Sequence, residues 1–175
     1  MRFKIKSVYP GTTFPDSCLS EVEVNDAKGD AWLTPVGVAD SGHLPEDADG
    51  SYAVENTYDE ILDTMWCENQ KTGDGTGTWF EHRFSGPTSV SKLTLRVGNA
   101  YNLRFWMDYN RAKGGTLVFS DGSKESITIK DIMMDQTITF PAHTTSSVRL
   151  TFSDVVRGKN PKYNDLCVSE ARFAP

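Results

Sequence analysis

The sequence predicts an all-β protein, an antiparallel β-sandwich or jelly roll. Three observations carry that expectation. Apolar and polar residues alternate with period two in several short runs, glycine-containing turns separate the runs, and no segment sustains a helical period.

In chain order, Phe3 to Tyr9 alternates before a turn at Gly11. Residues 26–50 are dense in Asn, Asp, Gly and Pro and read as a linker and first-strand region, with a short strand near Trp32 to Val38. Tyr58 to Trp66 has room for one helical turn. Leu93, Leu95 and Val97 alternate with Lys92, Thr94 and Arg96, which places one strand face on a core. Gly114-Gly115 precedes the apolar run Thr116 to Phe119, and Asp121-Gly122 joins that run to Ile127 and Ile129. Asp-Gly between two such runs is a hairpin signal, because the turn requires positive φ. Two further strands are expected at Thr137 to Phe140 and at Val148 to Phe152.

Composition narrows the function classes. The 175 residues carry 18 Lys and Arg against 24 Asp and Glu, a net charge of -6, with 38% hydrophobic residues. That is a globular composition. An acidic chain without a basic run does not grip nucleic acid or an anionic membrane by bulk charge. No apolar stretch approaches the roughly 18 residues that span a bilayer, and no apolar signal-peptide region follows the basic start. Cys18, Cys67 and Cys167 lack zinc-site spacing. At most one disulfide forms among them, with its pairing open.

One segment occurs twice. Asp16-Ser17-Cys18-Leu19-Ser20-Glu21-Val22-Glu23-Val24 matches Asp165-Leu166-Cys167-Val168-Ser169-Glu170-Ala171-Arg172-Phe173 at Asp, Cys, Ser and Glu. Residues 1–25 therefore read as the closing strands of a preceding similar domain, and residues 30–175 as one complete jelly roll. These strands are expected to dock by edge pairing on the chain's own complete domain; the alternative, their exchange between identical chains, would give a homodimer.

The usual catalytic patterns are absent. His43, His82 and His143 stand apart from any nucleophile elbow. Gly73-x-Gly75-x-Gly77 lacks the Lys-Ser/Thr of a phosphate loop and suits a tight turn or a backbone close to a ligand. The chain reads as a non-enzyme.

The order of motifs is more specific. Asn56 to Glu68 contains Asp59, Thr64 and Trp66-Cys67-Glu68, and a Gly-rich stretch leads to Trp79-Phe80. Asn110-Arg111-Ala112-Lys113, Ser120-Asp121-Gly122 and Asp165 to Glu170 follow. In this order they resemble the NADase-type glycan-binding domain of the discoidin-like, galactose-binding-like jelly-roll superfamily, over about residues 50–175. The resemblance implies a non-catalytic carbohydrate-binding module within a larger secreted or surface protein. The alternative function is a protein interaction or assembly module on the same fold. Glu60 stands where the family has glycine after the loop Asp, so that turn is expected to be built differently.

The resemblance also implies a structural cation, calcium, held by Asp59, Thr64 and Glu170. Calcium takes six to eight oxygens and tolerates an irregular loop. The competing use of these residues is a turn cap for Asp59 and Thr64 and an arginine pair for Glu170. Trp66, Glu68, Tyr109, Asn110, Arg111, Tyr163 and Asp165 form the expected ligand site, combining aromatic faces, a guanidinium and carboxylates in loops. Trp66 equally suits a plug at one end of the core. Tyr101, Phe105, Trp106 and Tyr109 lie beside Arg104 and Arg111 in a further aromatic and basic loop.

Overall fold

The computed structural model describes residues 32–48 and 50–175. Cys18, the repeat copy at 16–24 and the N-terminal homodimer expectation lie outside the described residues.

Among the described residues, seven strands form one antiparallel sheet folded into a sandwich. They are β1 (Gly37–Asp40), β2 (Trp66–Cys67), β3 (Trp79–Val97), β4 (Arg111–Phe119), β5 (Lys124–Thr128), β6 (Gln136–Val156) and β7 (Cys167–Ala174). The order is β2-β7-β3-β6-β4-β5, with β1 paired to β3. The long strand β3 joins the two layers. Its first half pairs with β1, through Gly37 to Asp40 against Arg83 to Phe80. Its second half pairs with β7, through Lys92 to Val97. Register shifts between Arg83 and Thr88 and between Val90 and Lys92 interrupt its ladder with β6. Such bulges bend a strand, and here they let one strand serve both layers.

The alternation seen in the sequence fills the core. Leu93, Leu95, Val97, Val148, Leu150 and Phe152 are buried together with Phe80, Leu117 and Phe173. Strand β7 is buried at every position, because β2 and β3 flank it in the sheet and other elements cover both faces.

Several local expectations change. The first strand is Gly37–Asp40, not Trp32 to Val38. Trp32 and Leu33 instead meet β7, where the Leu33 amide donates to the Phe173 carbonyl at 2.8 Å. The runs at Thr137 to Phe140 and Val148 to Phe152 belong to one strand. The helical turn comes at Val54–Thr57, ahead of Tyr58. Gly114-Gly115 lies inside β4, where a Cβ at Gly115 would stand 2.9 Å from the Thr151 carbonyl oxygen. A short helix, α1 (Leu103–Asp108), occupies the aromatic loop, with the Asn102 side chain accepting from the Phe105 amide at 2.9 Å. Six residues are too few to display a period.

Glu60 has φ 62°, the one non-glycine in the left-handed region among the described residues. The turn after Asp59 thus adopts a glycine-type backbone with a side chain that strains it.

Candidate functional site

A disulfide organises one end of the sandwich. Cys67 on β2 and Cys167 on β7 are register partners with Cα atoms 4.1 Å apart, bridged across 100 residues of sequence. Met65 and Tyr109 pack on it, and Leu44, Tyr52, Phe105 and Tyr163 close the cluster from outside. Tyr109 and Tyr163 stack with centroids 4.7 Å apart and rings 13° from parallel. Tyr163 and Tyr52 are half-buried, and the Tyr52 hydroxyl donates to the exposed Asp47 at 3.3 Å.

The expected ligand residues divide between this surface and the interior. Tyr109, Tyr163 and Asp165 come together. Burial raises the Asp165 carboxyl above its usual range. Burial also raises the Tyr109 phenol, with the neighbouring Tyr52, Tyr163, Asp165 and Asp47 adding to the shift. Asn110 lies just beneath. Its amide nitrogen donates to the Asn164 carbonyl at 2.5 Å and the Asp74 carbonyl at 3.2 Å, and its oxygen accepts from the Gly158 amide at 2.8 Å. It ties three loops together. Gly75 makes this approach possible: its φ is 92°, and a Cβ there would strike the Leu166 side chain.

Glu68 is also a positioning group. It is 1% exposed and accepts from the amides of Gln70 at 2.6 Å and Leu166 at 3.2 Å. Burial raises its pKa, and those two hydrogen bonds work against the rise.

Trp66 and Arg111 lie in the interior. Trp66 is fully buried between Phe80 and Phe152, and its indole nitrogen donates to Asp40 at 2.8 Å. No indole face is left for a sugar, so the core-plug role holds. Arg111 is 6% exposed. Its guanidinium pairs with Asp131 at 2.6 Å, donates to the Trp106 and Tyr109 carbonyls, and lies 4.3 Å over the Trp106 ring. Strand β4 begins at Arg111 and turns this side chain toward Asp131 and Trp106, under the Tyr109 backbone.

The cation residues show a mixed picture. Asp59 Oδ1 accepts from the Ile61 amide at 2.9 Å, and Asp59 Oδ2 accepts from the Thr64 hydroxyl at 2.7 Å. That is a capped turn. Glu170 is different. It is 1% exposed, and neither carboxylate oxygen has a hydrogen-bond partner. Its nearest cation is Arg172 Nε at 3.6 Å, which likewise lacks a hydrogen bond. Burial raises the Glu170 pKa to about 8, Arg172 opposes the rise, and Asp59 adds to it. A buried carboxylate with neither oxygen hydrogen-bonded suits a cation. No group of three or more His, Cys, Asp or Glu converges among the described residues, so beside Glu170 and Asp59 such a cation would draw its other oxygens from Thr64 and backbone carbonyls.

Asp47 and Tyr52 were not foreseen. They lie at the edge of the stretch read as linker, and only the Cys67–Cys167 pairing would have pointed to them.

Comparison with known proteins agrees with this architecture. The NAD glycohydrolase translocation F5/8 type C domain matches residues 34–174. No curated protein sequence matches the chain. Among solved structures, the family 32 carbohydrate-binding module of AlyQ, in complex with 4,5-unsaturated mannuronic acid, is 18% identical with a TM-score of 0.56, over 81% of this chain and 96% of its own. A Clostridium perfringens module in complex with GalNAc-β-1,3-galactose is 12% identical with a TM-score of 0.61, over 79% and 94%. Chitosan-binding module 1 of a Paenibacillus sp. IK-5 chitosanase/glucanase is 16% identical with a TM-score of 0.53, over 82% and 97%. Likeness at these identities is likeness of fold.

Proposed function

The chain belongs to the NAD glycohydrolase translocation F5/8 type C domain family, and from that premise we propose that it is a non-catalytic glycan-binding module. The observation that carries this reading is the tyrosine surface over the Cys67–Cys167 disulfide. Half-buried Tyr163, stacked on Tyr109, offers an aromatic face to the C–H side of a pyranose. Asp165, Asp47 and the phenols of Tyr52 and Tyr163 supply acceptors and donors for sugar hydroxyls. The platform is preorganised by the disulfide and by Asn110, so little side-chain freedom is lost on binding. A shallow site offers few contacts, and the expected affinity is on the order of millimolar to micromolar.

A glycan array followed by titration calorimetry tests this. Tyr163→Ala and Asp165→Asn should each weaken the strongest hit by about tenfold or more, while Lys124→Ala, exposed on the edge strand β5 and paired with the far end of β4, leaves it unchanged. A hit bound equally well by wild type and both site variants would refute the assignment.

The module also holds a structural calcium ion, with Glu170, Asp59 and Thr64 as side-chain ligands; the two Glu170 oxygens, buried and without a hydrogen bond, support this. A bound cation would neutralise Glu170 and stabilise the native state by mass action. Thermal melts in EDTA and in excess calcium should differ for wild type and coincide for Glu170→Gln. Coincident wild-type melts would count against the ion. The disulfide fits a secreted or surface setting, where such bonds persist.

A further inference from the structure

The tyrosine surface does not end at Tyr109. Phe105 lies 6.3 Å from Tyr109, and Tyr101 lies 5.9 Å from Phe105, centroid to centroid. Together with the Tyr109–Tyr163 stack, these rings form one continuous row. Exposure grades along it. Tyr109 is buried, Phe105 and Tyr163 are half-buried, and Tyr101 is 57% exposed.

Helix α1 presents this row without being part of the core. None of its residues is buried. It is held by the Asn102 cap and by Trp106, whose indole nitrogen donates to the Val97 carbonyl at 3.0 Å. Trp106 therefore faces the sheet and the Arg111 guanidinium, while Phe105 faces Tyr109. Arg104, four residues before Asp108, lies 3.9 Å from its carboxylate. Leu103, the first residue of α1, is 60% exposed. Large apolar side chains held at this exposure add little to stability, since they are not removed from water on folding.

Resting on the glycan-binding reading above, we infer that the ligand is an oligosaccharide of at least three residues that runs along this row rather than a single sugar. One unit sits on Tyr163 over Tyr109, the next against Phe105, and the third on Tyr101. Successive rings are turned by 53° and 64° along the row. That suits a chain whose consecutive units are rotated against one another. Each further ring adds a stacking contact to one continuous ligand, so affinity rises with chain length until the row is filled.

The test uses the full chain and three homologous series, chito-oligosaccharides, oligogalacturonates and β-1,4-galacto-oligosaccharides, from monosaccharide to pentasaccharide, read by calorimetry. For the series that binds, affinity should climb to the trisaccharide and then level. Tyr101→Ala should weaken trisaccharide and longer ligands on the order of tenfold and leave the monosaccharide unaffected, with Tyr101→Phe restoring the loss. Tyr163→Ala should weaken every length. Equal affinity for mono- and tetrasaccharide, or a Tyr101→Ala variant that binds long ligands as wild type does, would overturn the row while the Tyr163 site stands. If neither these series nor a glycan array yields a binder, the underlying reading falls and the row with it.

Discussion

Lowering the pH should act on this fold through two buried groups of opposite sign. His82 is 1% exposed, ringed by Tyr58, Phe80 and Phe173 at 5.3 to 5.6 Å. The Thr57 hydroxyl donates its one proton to the Val54 carbonyl at 2.7 Å, so it accepts from His82 Nε2 at 3.0 Å, and the imidazole is the neutral Nε2–H tautomer. Burial pulls the His82 pKa from 6.5 down to about 3. Below 6.5 the unfolded chain binds a proton at this position and the folded chain does not. Stability is therefore complete above 6.5 and falls with pH, by about 1.4 kcal/mol per unit, until the folded imidazole itself titrates. With no metal bound, Glu170 works in the other direction. Its pKa rises from 4.5 to about 8 in the fold. Between those values the folded chain holds the extra proton, so stability grows as pH falls, at a similar slope. The two contributions oppose each other between 4.5 and 6.5, and the raised carboxyls of Glu68 and Asp165 add to the Glu170 side, so wild type in EDTA should lose no stability there. Urea unfolding at intervals from pH 8 to 4.5 resolves them. His82→Phe should gain stability throughout that descent. Glu170→Gln should lose at most about 2.7 kcal/mol between 6.5 and 4.5, two units of the His82 slope, less what the raised carboxyls of Glu68 and Asp165 return. The double variant Glu170→Gln/His82→Phe isolates the histidine; a pH profile identical to that of Glu170→Gln would show that the account of His82 as a buried neutral imidazole is wrong.

Two other outcomes concern the backbone and the cross-link. Replacing both Cys67 and Cys167 by Ala opens a 100-residue loop, and the chain-entropy model puts the loss at about 4 to 5 kcal/mol. Denaturant midpoints should drop accordingly, and glycan affinity should fall with the tyrosine platform; an unchanged midpoint would mean the bridge does not constrain the unfolded chain. Glu60→Gly removes a side chain from the left-handed backbone at φ 62°. Strain relief of about 1 to 2 kcal/mol, less the added unfolded-state freedom of about 0.5 to 1 kcal/mol, should leave Tm higher. A lower Tm would show that the Glu60 side chain itself contributes to the fold.

The sequence by itself determined the fold class, most of the strands and the family, because each rests on local signals. Alternation at Leu93 to Val97 and at Val148 to Phe152 reflects one strand face meeting a core. The Asp121-Gly122 turn reflects a positive φ at Gly122, and the order of short motifs survives where overall identity is low. It also brought Tyr109, Tyr163 and Asp165 into one candidate site. Tertiary structure decided which candidate side chains meet solvent. Trp66 and Arg111 have the residue types of a sugar site, yet one is enclosed by Phe80 and Phe152 and the other is spent on Asp131 and Trp106. Tertiary structure also chose Cys167 as the partner of Cys67, made one strand of two apolar runs, and drew Asp47 and Tyr52 to the tyrosines. Period two says that a strand has two faces, but which of them is covered depends on neighbours up to 100 residues away in sequence. In β7 both faces are covered, so its pattern carries no direction, and only its register between β2 and β3 aims Cys167 at Cys67 and encloses Glu170.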